Sequence, residues 1–561
     1  MTVPDAPATA SAVPDDLAAA VREWRATDID PATAARLDEL LAAATSGDAD
    51  ALAELGDAFS GPLSFGTAGL RGPLGPGPAR MNRVVVSRAA AGLAGYLLER
   101  GHRGRTVIVG YDARHNSEAF ARDTAEVLAG AGLAPLLCSR PLPTPVVAFG
   151  IRHFGCVAGV VVTASHNPPQ DNGYKVYLGD GSQIIPPADA EIAAEIAAAS
   201  AGPVSSLPRS QEYRLVGEEL VDAYVARAAS LLPADAPRDL TWAYTALHGV
   251  GADVVERVAR AAGFPAFHAV GEQRLPDPDF PTVSFPNPEE PGAIDLALEL
   301  ARSVGADVAI ANDPDADRCA VAAVVGGTWR MLTGDELGAL LADDALRRGV
   351  PGTYACSVVS STLLATMAAA HGRPAATTLT GFKWIGRVPE LAFGYEEAIG
   401  YCTDAAAVPD KDGITTALRV LTLVAGLRAR GETLADRLDE IARQYGVHLT
   451  SQLSVRVSDL SLITAAMQRL RSQPPATLVG EPVRVVDLAD GFDGLPPTDG
   501  MLLAGERVRA VARPSGTEPK LKCYLQVRLD AAASQNLAAA REQAAVVMAG
   551  LRAEMAAALG V

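Results

Sequence analysis

The fold is decided by the stretch Val161-Val162-Thr163-Ala164-Ser165-His166-Asn167-Pro168-Pro169-Gln170-Asp171-Asn172-Gly173-Tyr174-Lys175. The apolar, β-branched run from Val157 to Thr163 predicts a buried strand of the parallel type. Pro168-Pro169 prevents this strand from continuing and prevents a helix from starting at once. Ser165 is therefore expected at the carboxyl end of a strand, where α/β sheets usually carry ligands.

The same stretch brings three reactive groups into one predicted loop. They are the Ser165 hydroxyl, the His166 imidazole and the Lys175 ammonium, which a turn at residues 171–173 would fold back over the loop. This combination indicates a serine that handles phosphate. Polar loop residues more often only satisfy backbone groups, so the functional interpretation depends on the rest of the chain.

Composition limits the possible functions. The chain has 561 residues, too many for one core, and its formal charge of −18 argues against binding to nucleic acid or anionic membranes. No apolar run is long enough for a membrane span or a signal peptide. Six cysteines without a CxxC pair indicate neither zinc nor a disulfide framework, which favours a reducing cytoplasm.

Lysine is rare in this chain. Among 48 basic residues, the lysines are Lys175, Lys383, Lys411, Lys520 and Lys522. Lysine differs from arginine in its compact charge and in its ability to lose a proton. All five fall in stretches predicted as loops, so we expect them to have specific tasks.

Strands and helices alternate from about residue 59 to residue 445. This alternation predicts an α/β fold with mostly parallel sheets and helices on both faces. After residue 446, shorter strands separated by Gly and Pro turns indicate an α+β domain. The predicted organisation is an N-terminal tail with helices (1–58), three α/β domains (59–205, 206–325 and 326–445) and a C-terminal domain (446–561).

A second predicted strand, Asp307–Ala311, runs into an acidic loop. Asp313, Asp315 and Asp317 follow at i, i+2 and i+4 around Pro314. Three neighbouring carboxylates repel one another without a cation, and oxygen ligands suit Mg²⁺. We therefore prefer a metal site to a solvated acidic turn.

Three further loops carry candidate ligand-binding groups. In residues 65–72, three glycines would let the backbone approach a ligand, and Arg71 could fork a phosphate. Glu396 and Glu397 lie beside glycine and could grip sugar hydroxyls, although such a pair is equally common at a helix start. Residues 513–522 combine an arginine, two hydroxyls and Gly516, which suits a phosphate cradle.

The motifs TASHNP (163–168), DPDADR (313–318) and RPSGTEP (513–519) are specific as a set. Together they resemble the α-D-phosphohexomutase superfamily, the phosphoglucomutase and phosphomannomutase enzymes. The resemblance runs from about residue 60 onward and implies three similar α/β domains and a smaller fourth domain around a central cleft. YEEAIGY (395–401) and GFKWIG (381–386) look closer to the branch that includes phosphopentomutases and glucose-1,6-bisphosphate synthases.

The resemblance also implies roles for individual residues. Ser165 resembles the phosphoserine, and the implied Mg²⁺ ligands are Ser165, Asp313, Asp315 and Asp317. The implied set for proton transfer and charge stabilisation is Arg71, His166 and Lys175. The implied substrate contacts are Arg318, Lys383, Glu396, Glu397, Arg513, Ser515, Gly516, Thr517 and Lys522.

The implied reaction interconverts hexose 1-phosphate and hexose 6-phosphate, with glucose or mannose as the sugar. Phosphorylated Ser165 would phosphorylate the sugar monophosphate, and the resulting sugar 1,6-bisphosphate would return its other phosphate. Positioning and charge neutralisation supply most of the catalysis in such transfers. Either His166 or Lys175 could take the hydroxyl proton, and the residues alone do not choose between them.

Alternative functions stay open at this point. Many phosphoglucomutases have a serine two residues after the sugar-binding glutamate, where this chain has Ala398. The alternatives are a phosphopentomutase, a glucose-1,6-bisphosphate synthase, a non-catalytic phosphosugar-binding protein and a metal hydrolase that uses the acidic loop alone. The expected partner is a small phosphosugar, and the sequence makes no prediction between monomer and dimer.

Overall fold

A computed structural model describes residues 13–457, 459–515, 520–532 and 536–561. Its strands form four main sheets in chain order, and we refer to the regions built around them as domains I to IV. This architecture confirms the predicted fold class, with mixed sheets in domains I to III and an antiparallel sheet flanked by helices in domain IV.

Three helices precede the sheets: α1 (Asp15–Thr27), α2 (Pro31–Thr45) and α3 (Ala49–Ala58). Their apolar side chains, among them Val21, Leu37 and Leu55, form a small core of their own. Aspartates begin α2 and α3 because their carboxylates accept the first free backbone N–H groups. The predicted N-terminal helices are therefore a separate packing unit.

Domain I has a six-stranded sheet in the order β1-β5-β4-β2-β3-β6. The β-branched, apolar run after residue 156 forms a strand buried along its whole length, as its sequence predicts. The strands are β1 (Leu70–Pro73), β2 (Thr106–Tyr111), β3 (Ala134–Cys138), β4 (Ala158–Val162), β5 (Asp171–Leu178) and β6 (Arg214–Val216). The helices are α4 (Arg83–Glu99), α5 (Ser117–Gly130), α6 (Thr144–His153) and α7 (Ala188–Ser200).

Domains II and III repeat this plan with fewer strands, in the orders β11-β10-β9-β7-β8 and β13-β12-β14-β15. Domain II contains α8 (Glu218–Ala229), β7 (Trp242–Thr245), α9 (Gly251–Ala261), β8 (His268–Ala269), α10 (Asp295–Val304), β9 (Val308–Asn312), β10 (Cys319–Val325) and β11 (Thr328–Met331). Domain III contains α11 (Gly334–Arg347), β12 (Thr353–Ser357), α12 (Leu363–Ala370), β13 (Ala375–Thr378), α13 (Phe382–Ile385), β14 (Leu391–Glu396), β15 (Gly400–Cys402), α14 (Gly413–Arg428) and α15 (Leu434–Tyr445).

Domain IV has an antiparallel sheet in the order β16-β22-β21-β20-β19. Its elements are β16 (Val447–Arg456), α16 (Leu460–Ser472), a small ribbon of β17 (Thr477–Leu478) and β18 (Glu481–Pro482), β19 (Arg484–Asp487), β20 (Met501–Ala504), β21 (Val508–Pro514), β22 (Lys520–Leu529) and α17 (Leu537–Leu559). Its apolar core is separate from the continuous core that joins domains I to III.

One hairpin is common to domains I, II and III. In each, a parallel strand ends in a short loop and the chain returns as an antiparallel neighbour, in the pairs β4–β5, β9–β10 and β14–β15. Each loop holds a non-glycine residue at positive φ: Ser165 (+52°), Ala316 (+56°) and Ile399 (+54°). The three loops therefore share one backbone conformation at the carboxyl end of a strand. Ligand sites in α/β sheets usually lie at such ends, so the three loops can converge on one site.

The structure corrects two expectations about the lysines and leaves the domain limits as predictions. Lys175 does not fold back over a turn, because residues 171–178 form β5 and Lys175 pairs with Val161. Lys383 lies in a short helix, and Lys520 and Lys522 lie in β22. The predicted limits at 205 and 325 are not tested directly, although β6 and β11 pair with sheets that begin before those limits.

Candidate active site

Ser165 lies in the loop between β4 and β5 and faces domain II. Its Oγ donates a hydrogen bond to Asp313 Oδ2 at 2.6 Å and lies 3.2 Å from His166 Nδ1. The side chain of Thr163 accepts the Ser165 backbone N–H at 2.8 Å, which helps to hold the positive-φ conformation. The hydroxyl is thus aimed at the first aspartate of the acidic loop.

Arg114 holds the loop that carries Ser165, here called the serine loop (residues 163–170). Its guanidinium donates to four backbone carbonyl oxygens, those of Ser165 (2.8 Å), Asn167 (2.5 Å), Pro168 (2.7 Å) and Asp171 (3.1 Å). Arg114 is 4% exposed, so these bonds form in a water-poor environment. One side chain therefore fixes both ends of the loop that carries the serine.

The three aspartates of the acidic loop converge as predicted. One carboxylate oxygen from each of Asp313, Asp315 and Asp317 lies within 4.8 Å of the others, and all three residues are buried. Among the described residues, Oδ1 of Asp315 and Oδ1 of Asp317 accept no hydrogen bond. Buried carboxylate oxygens without donors fit a hard divalent cation, so these residues could hold Mg²⁺.

Two lysines supply positive charge beside the aspartates. Lys175 Nζ donates to Asp315 Oδ2 at 2.7 Å and to Asp317 Oδ2 at 2.9 Å, and Lys411 Nζ lies 3.3 Å from Asp317 Oδ2. Burial by itself would lower the pKa of Lys175, but the two carboxylates outweigh burial and raise it. Lys175 is therefore an ammonium in this arrangement.

His166 is the neighbouring group that stays neutral. Burial is the main cause, and the positive charges of Arg318 and Arg71 add to it, so the pKa of His166 is well below its usual value of 6.5. A neutral imidazole with Nδ1 near Ser165 Oγ can accept a proton there.

Arg71 approaches the serine loop from β1. Its Nη1 donates to Asn167 Oδ1 at 3.1 Å. Gly69, two residues before it, has a structural task in the pairing of two strands. A Cβ at Gly69 would lie 1.8 Å from the carbonyl oxygen of Tyr174, so this glycine lets β1 pair closely with β5.

One cavity of about 710 Å³ joins all four domains. Its wall includes Ser165 from domain I, Asp317 from domain II, Glu397 from domain III and Lys522 from domain IV. Asp313 and Asp315 lie behind that wall, fully buried. The remaining predicted site residues on the wall are Arg71, His166, Lys175 and Arg318.

Glu397 and Glu396 have different tasks. The Glu397 carboxylate lines the cavity and accepts hydrogen bonds from Ser357 (3.2 Å) and Ser360 (3.1 Å). Burial, followed by the nearby carboxylate of Asp335, raises the pKa of Glu397. Glu396 is not on the cavity wall and instead accepts the backbone N–H of Gly381 at 2.6 Å, which joins the end of β14 to the start of α13.

Several predicted substrate contacts lie outside this cavity wall. Lys383 donates to the Thr67 hydroxyl and so links domain III to domain I. Arg513 lies on β21 opposite Lys522, and Ser515 follows the end of that strand. Gly516 and Thr517 lie outside the described residues.

The structure adds positioning residues that sequence reasoning missed. Thr144 donates its hydroxyl to Asp315 Oδ2 at 2.5 Å and its backbone N–H to the Asp315 carbonyl at 2.9 Å. No local signal marks Thr144 or Arg114, because both act on residues far away in sequence. The scarcity of lysine did point to Lys411, whose task only its contact with Asp317 defines.

Comparison with known families matches each domain in turn. The models described as "Phosphoglucomutase/phosphomannomutase, alpha/beta/alpha domain" I, II and III match residues 62–202, 221–326 and 333–445, and that of the C-terminal domain matches 455–544. The predicted superfamily is confirmed: the chain belongs to the phosphoglucomutase/phosphomannomutase family. Within it the chain is a phosphosugar mutase, an enzyme of the isomerase class.

Individual relatives agree with this assignment. The chain is 49% identical over 456 residues to a "Probable phosphomannomutase" of Haemophilus influenzae, covering 80% of this chain and 93% of the relative. It is 35% identical over 555 residues to a "Probable phosphoribomutase" of Schizosaccharomyces pombe, covering 91% and 93%. A crystal structure of a phosphoglucomutase/phosphomannomutase family protein from Burkholderia thailandensis has the same fold, with a TM-score of 0.65, 21% identity and coverage of 87% and 96%.

Within the described residues, no helix is both long enough and apolar enough to cross a membrane.

Proposed function

We propose that the enzyme interconverts hexose 1-phosphate and hexose 6-phosphate, of glucose or mannose, through phosphorylated Ser165 and a bound sugar 1,6-bisphosphate. The observation that carries this proposal is the hydrogen bond of 2.6 Å between Ser165 Oγ and Asp313, at a cavity of about 710 Å³ to which every domain contributes. The 49% identity to a relative named as a phosphomannomutase supports the hexose.

Asp313, Asp315 and Asp317 would hold the Mg²⁺ ion, together with an oxygen on Ser165. When bound, Mg²⁺ neutralises negative charge on the serine phosphate. The two carboxylate oxygens that lack donors among the described residues support this choice. Thr144 would keep Asp315 in place, because it bonds both the carboxylate and the backbone of that residue.

The transfer step needs no reactant other than the phosphoserine and the sugar phosphate. The bond between phosphorus and Ser165 Oγ breaks, a bond from phosphorus to the free sugar hydroxyl oxygen forms, and the hydroxyl proton ends on Ser165 Oγ. Reversal of the step on the other phosphate of the bisphosphate restores phosphoserine and releases the isomer. Lys175 and Arg71, both beside the serine loop, would stabilise charge on the transferring group.

We propose that His166 relays the proton that Ser165 Oγ receives during the transfer. Its Nδ1 lies 3.2 Å from Oγ, whereas the Lys175 ammonium is held by two carboxylates. Geometry therefore favours the imidazole as the group that relays this proton.

Domain IV would hold the phosphate that does not react. Lys520 and Lys522 of β22 line the cavity on the side formed by domain IV. Glu397, fixed by two serines, would accept hydrogen bonds from sugar hydroxyls. The sugar must turn over between half-reactions, so one wall binds a phosphate while the opposite wall performs the transfer. The predicted contacts of Arg318, Lys383, Glu396, Arg513, Ser515, Gly516 and Thr517 remain part of this proposal.

The five-part division of the chain and a cytoplasmic location also remain proposals. All six cysteines are buried free thiols. This supports a reducing compartment, where such thiols persist.

A pentose phosphate is the second candidate substrate. The Schizosaccharomyces pombe relative, whose match covers 91% of this chain, is named as a probable phosphoribomutase. In addition, Ala398 lacks the serine hydroxyl that many phosphoglucomutases have at this position. A purified-enzyme assay should compare glucose 1-phosphate, mannose 1-phosphate and ribose 1-phosphate, each with and without Mg²⁺ and a sugar 1,6-bisphosphate primer.

The hexose proposal expects the highest kcat/KM for glucose or mannose 1-phosphate and stimulation by the primer. A kcat/KM that is at least tenfold higher for ribose 1-phosphate would replace it with the pentose function. Net formation of sugar bisphosphate from a separate phosphoryl donor would identify a bisphosphate synthase. Mass spectrometry of Ser165 provides a separate readout, since a protein that never carries phosphate there would be a binder.

A further inference from the structure

A second cavity, of about 400 Å³, lies between the N-terminal helices and domain I. Trp24 and Thr27 of α1 form one side, Phe59 and Pro78 form part of the floor, and Arg88 of α4 enters from domain I. None of these residues lines the active-site cavity. The mutase reaction therefore gives this cavity no task.

Arg88 is a half-buried cation without a counter-charge. Among the described residues, its guanidinium makes no hydrogen bond or ion pair, and its Nε is fully buried. Burial lowers the pKa of Arg88, with no carboxylate opposing the shift. Arg83 on the same helix differs, since it pairs with Asp123 at 2.7 Å. An anion that enters the cavity could therefore form charge-assisted hydrogen bonds with this guanidinium.

Trp24 forms part of the apolar wall of the same cavity. Its Nε1 is buried and has no hydrogen-bond partner among the described residues. The Arg88 guanidinium lies 5.2 Å from the centre of the indole ring, and Phe59 meets that ring edge-on at 6.3 Å. Glu23 also borders the cavity, but it is exposed and forms no ion pair with Arg88.

We propose that this cavity binds a small organic anion, with its carboxylate or phosphate group against Arg88 and its apolar body against Trp24 and Phe59. The anion would supply the missing counter-charge for Arg88. Because it would touch both the N-terminal helices and domain I, it would also stabilise their contact by mass action. This inference is independent of the sugar that the enzyme isomerises.

Fluorine NMR can test the site, because the chain has four tryptophans and 5-fluorotryptophan reports on each one. The Trp24 resonance would be assigned with Trp24→Phe. Phenyl phosphate and benzoate are the probes, and neutral benzyl alcohol is the uncharged control. We expect a saturable shift of the Trp24 resonance with at least one anion below about 20 mM, and the better anion identifies the oxyanion class.

Arg88→Gln should weaken this binding at least tenfold. Arg100→Gln is the matched control, because Arg100 ends the same helix and stacks on Tyr96 but pairs with Glu191 at 2.6 Å. An equal response to benzyl alcohol, no saturation with either anion, or an unchanged affinity in Arg88→Gln would each overturn the proposal.

Stability gives an independent readout. Without ligand, Arg88→Met should leave Tm unchanged or raise it, because the variant removes an uncompensated charge and keeps the apolar stem. With the better anion, wild-type Tm should rise while that of Arg88→Met stays constant. A clear fall in the Tm of ligand-free Arg88→Met would show that the guanidinium is kept for packing on Trp24, which would overturn the binding role.

Discussion

Two walls of the proposed active-site cavity differ in how their charges are balanced. On the wall of domains I and II, Lys175 is held by Asp315 and Asp317, and Ser165 is bonded to Asp313. On the wall of domain IV, the charge of Lys522 acts on the carboxylates of Glu289 and Glu397, but among the described residues Lys522 forms no ion pair with them. The first wall is organised before the substrate arrives, whereas the second wall has charge available for a phosphate.

The cores of the molecule follow the same division. Domains I to III share one continuous apolar core, and domain IV has its own. Their apolar contact includes a small cluster in which Val358 and Val359 of domain III meet Leu502 and Val511 of domain IV. The residues proposed for phosphoryl transfer therefore lie in domains that share one core, and the proposed phosphate-binding wall belongs to a domain with a core of its own.

The largest effect should follow from removing the serine oxygen. We expect Ser165→Ala to lower kcat by about ten-thousand-fold, because the phosphoryl group then has no carrier, while the Kd for sugar phosphate changes little. A coupled assay and calorimetry measure the two quantities. Ser454→Ala, on the domain IV side of the same cavity, is the control and should keep nearly full activity. Wild-type turnover in Ser165→Ala would refute the phosphoserine role.

Loss of one aspartate should weaken metal binding. We expect Asp315→Asn to lower the affinity for Mn²⁺, measured by electron paramagnetic resonance, by about 100-fold, since a charged ligand becomes a neutral one. Asp410→Asn is the matched control, because Asp410 is buried near Lys411 but lies outside the aspartate trio. Equal losses in the two variants would mean that overall charge, and not coordination, sets the affinity.

A substitution on the domain IV wall of the cavity should mainly change KM. We expect Lys522→Met to raise KM about tenfold and to leave kcat within about twofold, because a phosphate contact made in both ground and transition states affects binding alone. Arg528→Met, farther along the same strand, controls for the loss of a positive charge. A fall in kcat with unchanged KM would break the proposed division between the two walls.

The last effect is on stability and not on activity, and it concerns the junction between domains III and IV. His448 is the second residue of β16, and its Nδ1 lies 2.9 Å from Gln526 Nε2. Burial, aided by Arg528, lowers the pKa of His448 to about 4. The folded protein therefore favours the neutral imidazole. The contribution of His448 to the free energy of unfolding is complete above pH 6.5 and declines as the pH falls towards 4.

Urea unfolding at pH 7 and at pH 4.5 measures this loss. Between pH 7 and pH 4.5, we expect the free energy of unfolding to fall by about 2 kcal/mol less in His448→Asn than in wild type, because the variant has no imidazole to protonate. His268→Asn, at an exposed histidine of domain II, should follow the wild-type curve. Identical pH dependence in wild type and His448→Asn would exclude His448 as the cause.

Sequence patterns predicted the parts of the site that are local. The buried run before Ser165 formed β4, and the alternating aspartates converged, because a strand followed by a proline-stiffened loop leaves few arrangements. The same approach failed for Lys175. A turn at residues 171–173 was reasonable from composition, but pairing with β4 and β1 on both sides made this segment a strand.

The sequence by itself determined the fold class and the family and predicted which short stretches carry chemistry, since each depends on residues that are neighbours along the chain. Only the tertiary structure decided that Lys411 meets Asp317, that Arg114 binds the carbonyls of the serine loop and that Glu397 faces the cavity. The physical reason is that charge pairing and cavity shape depend on distances between separate domains, which no local pattern encodes.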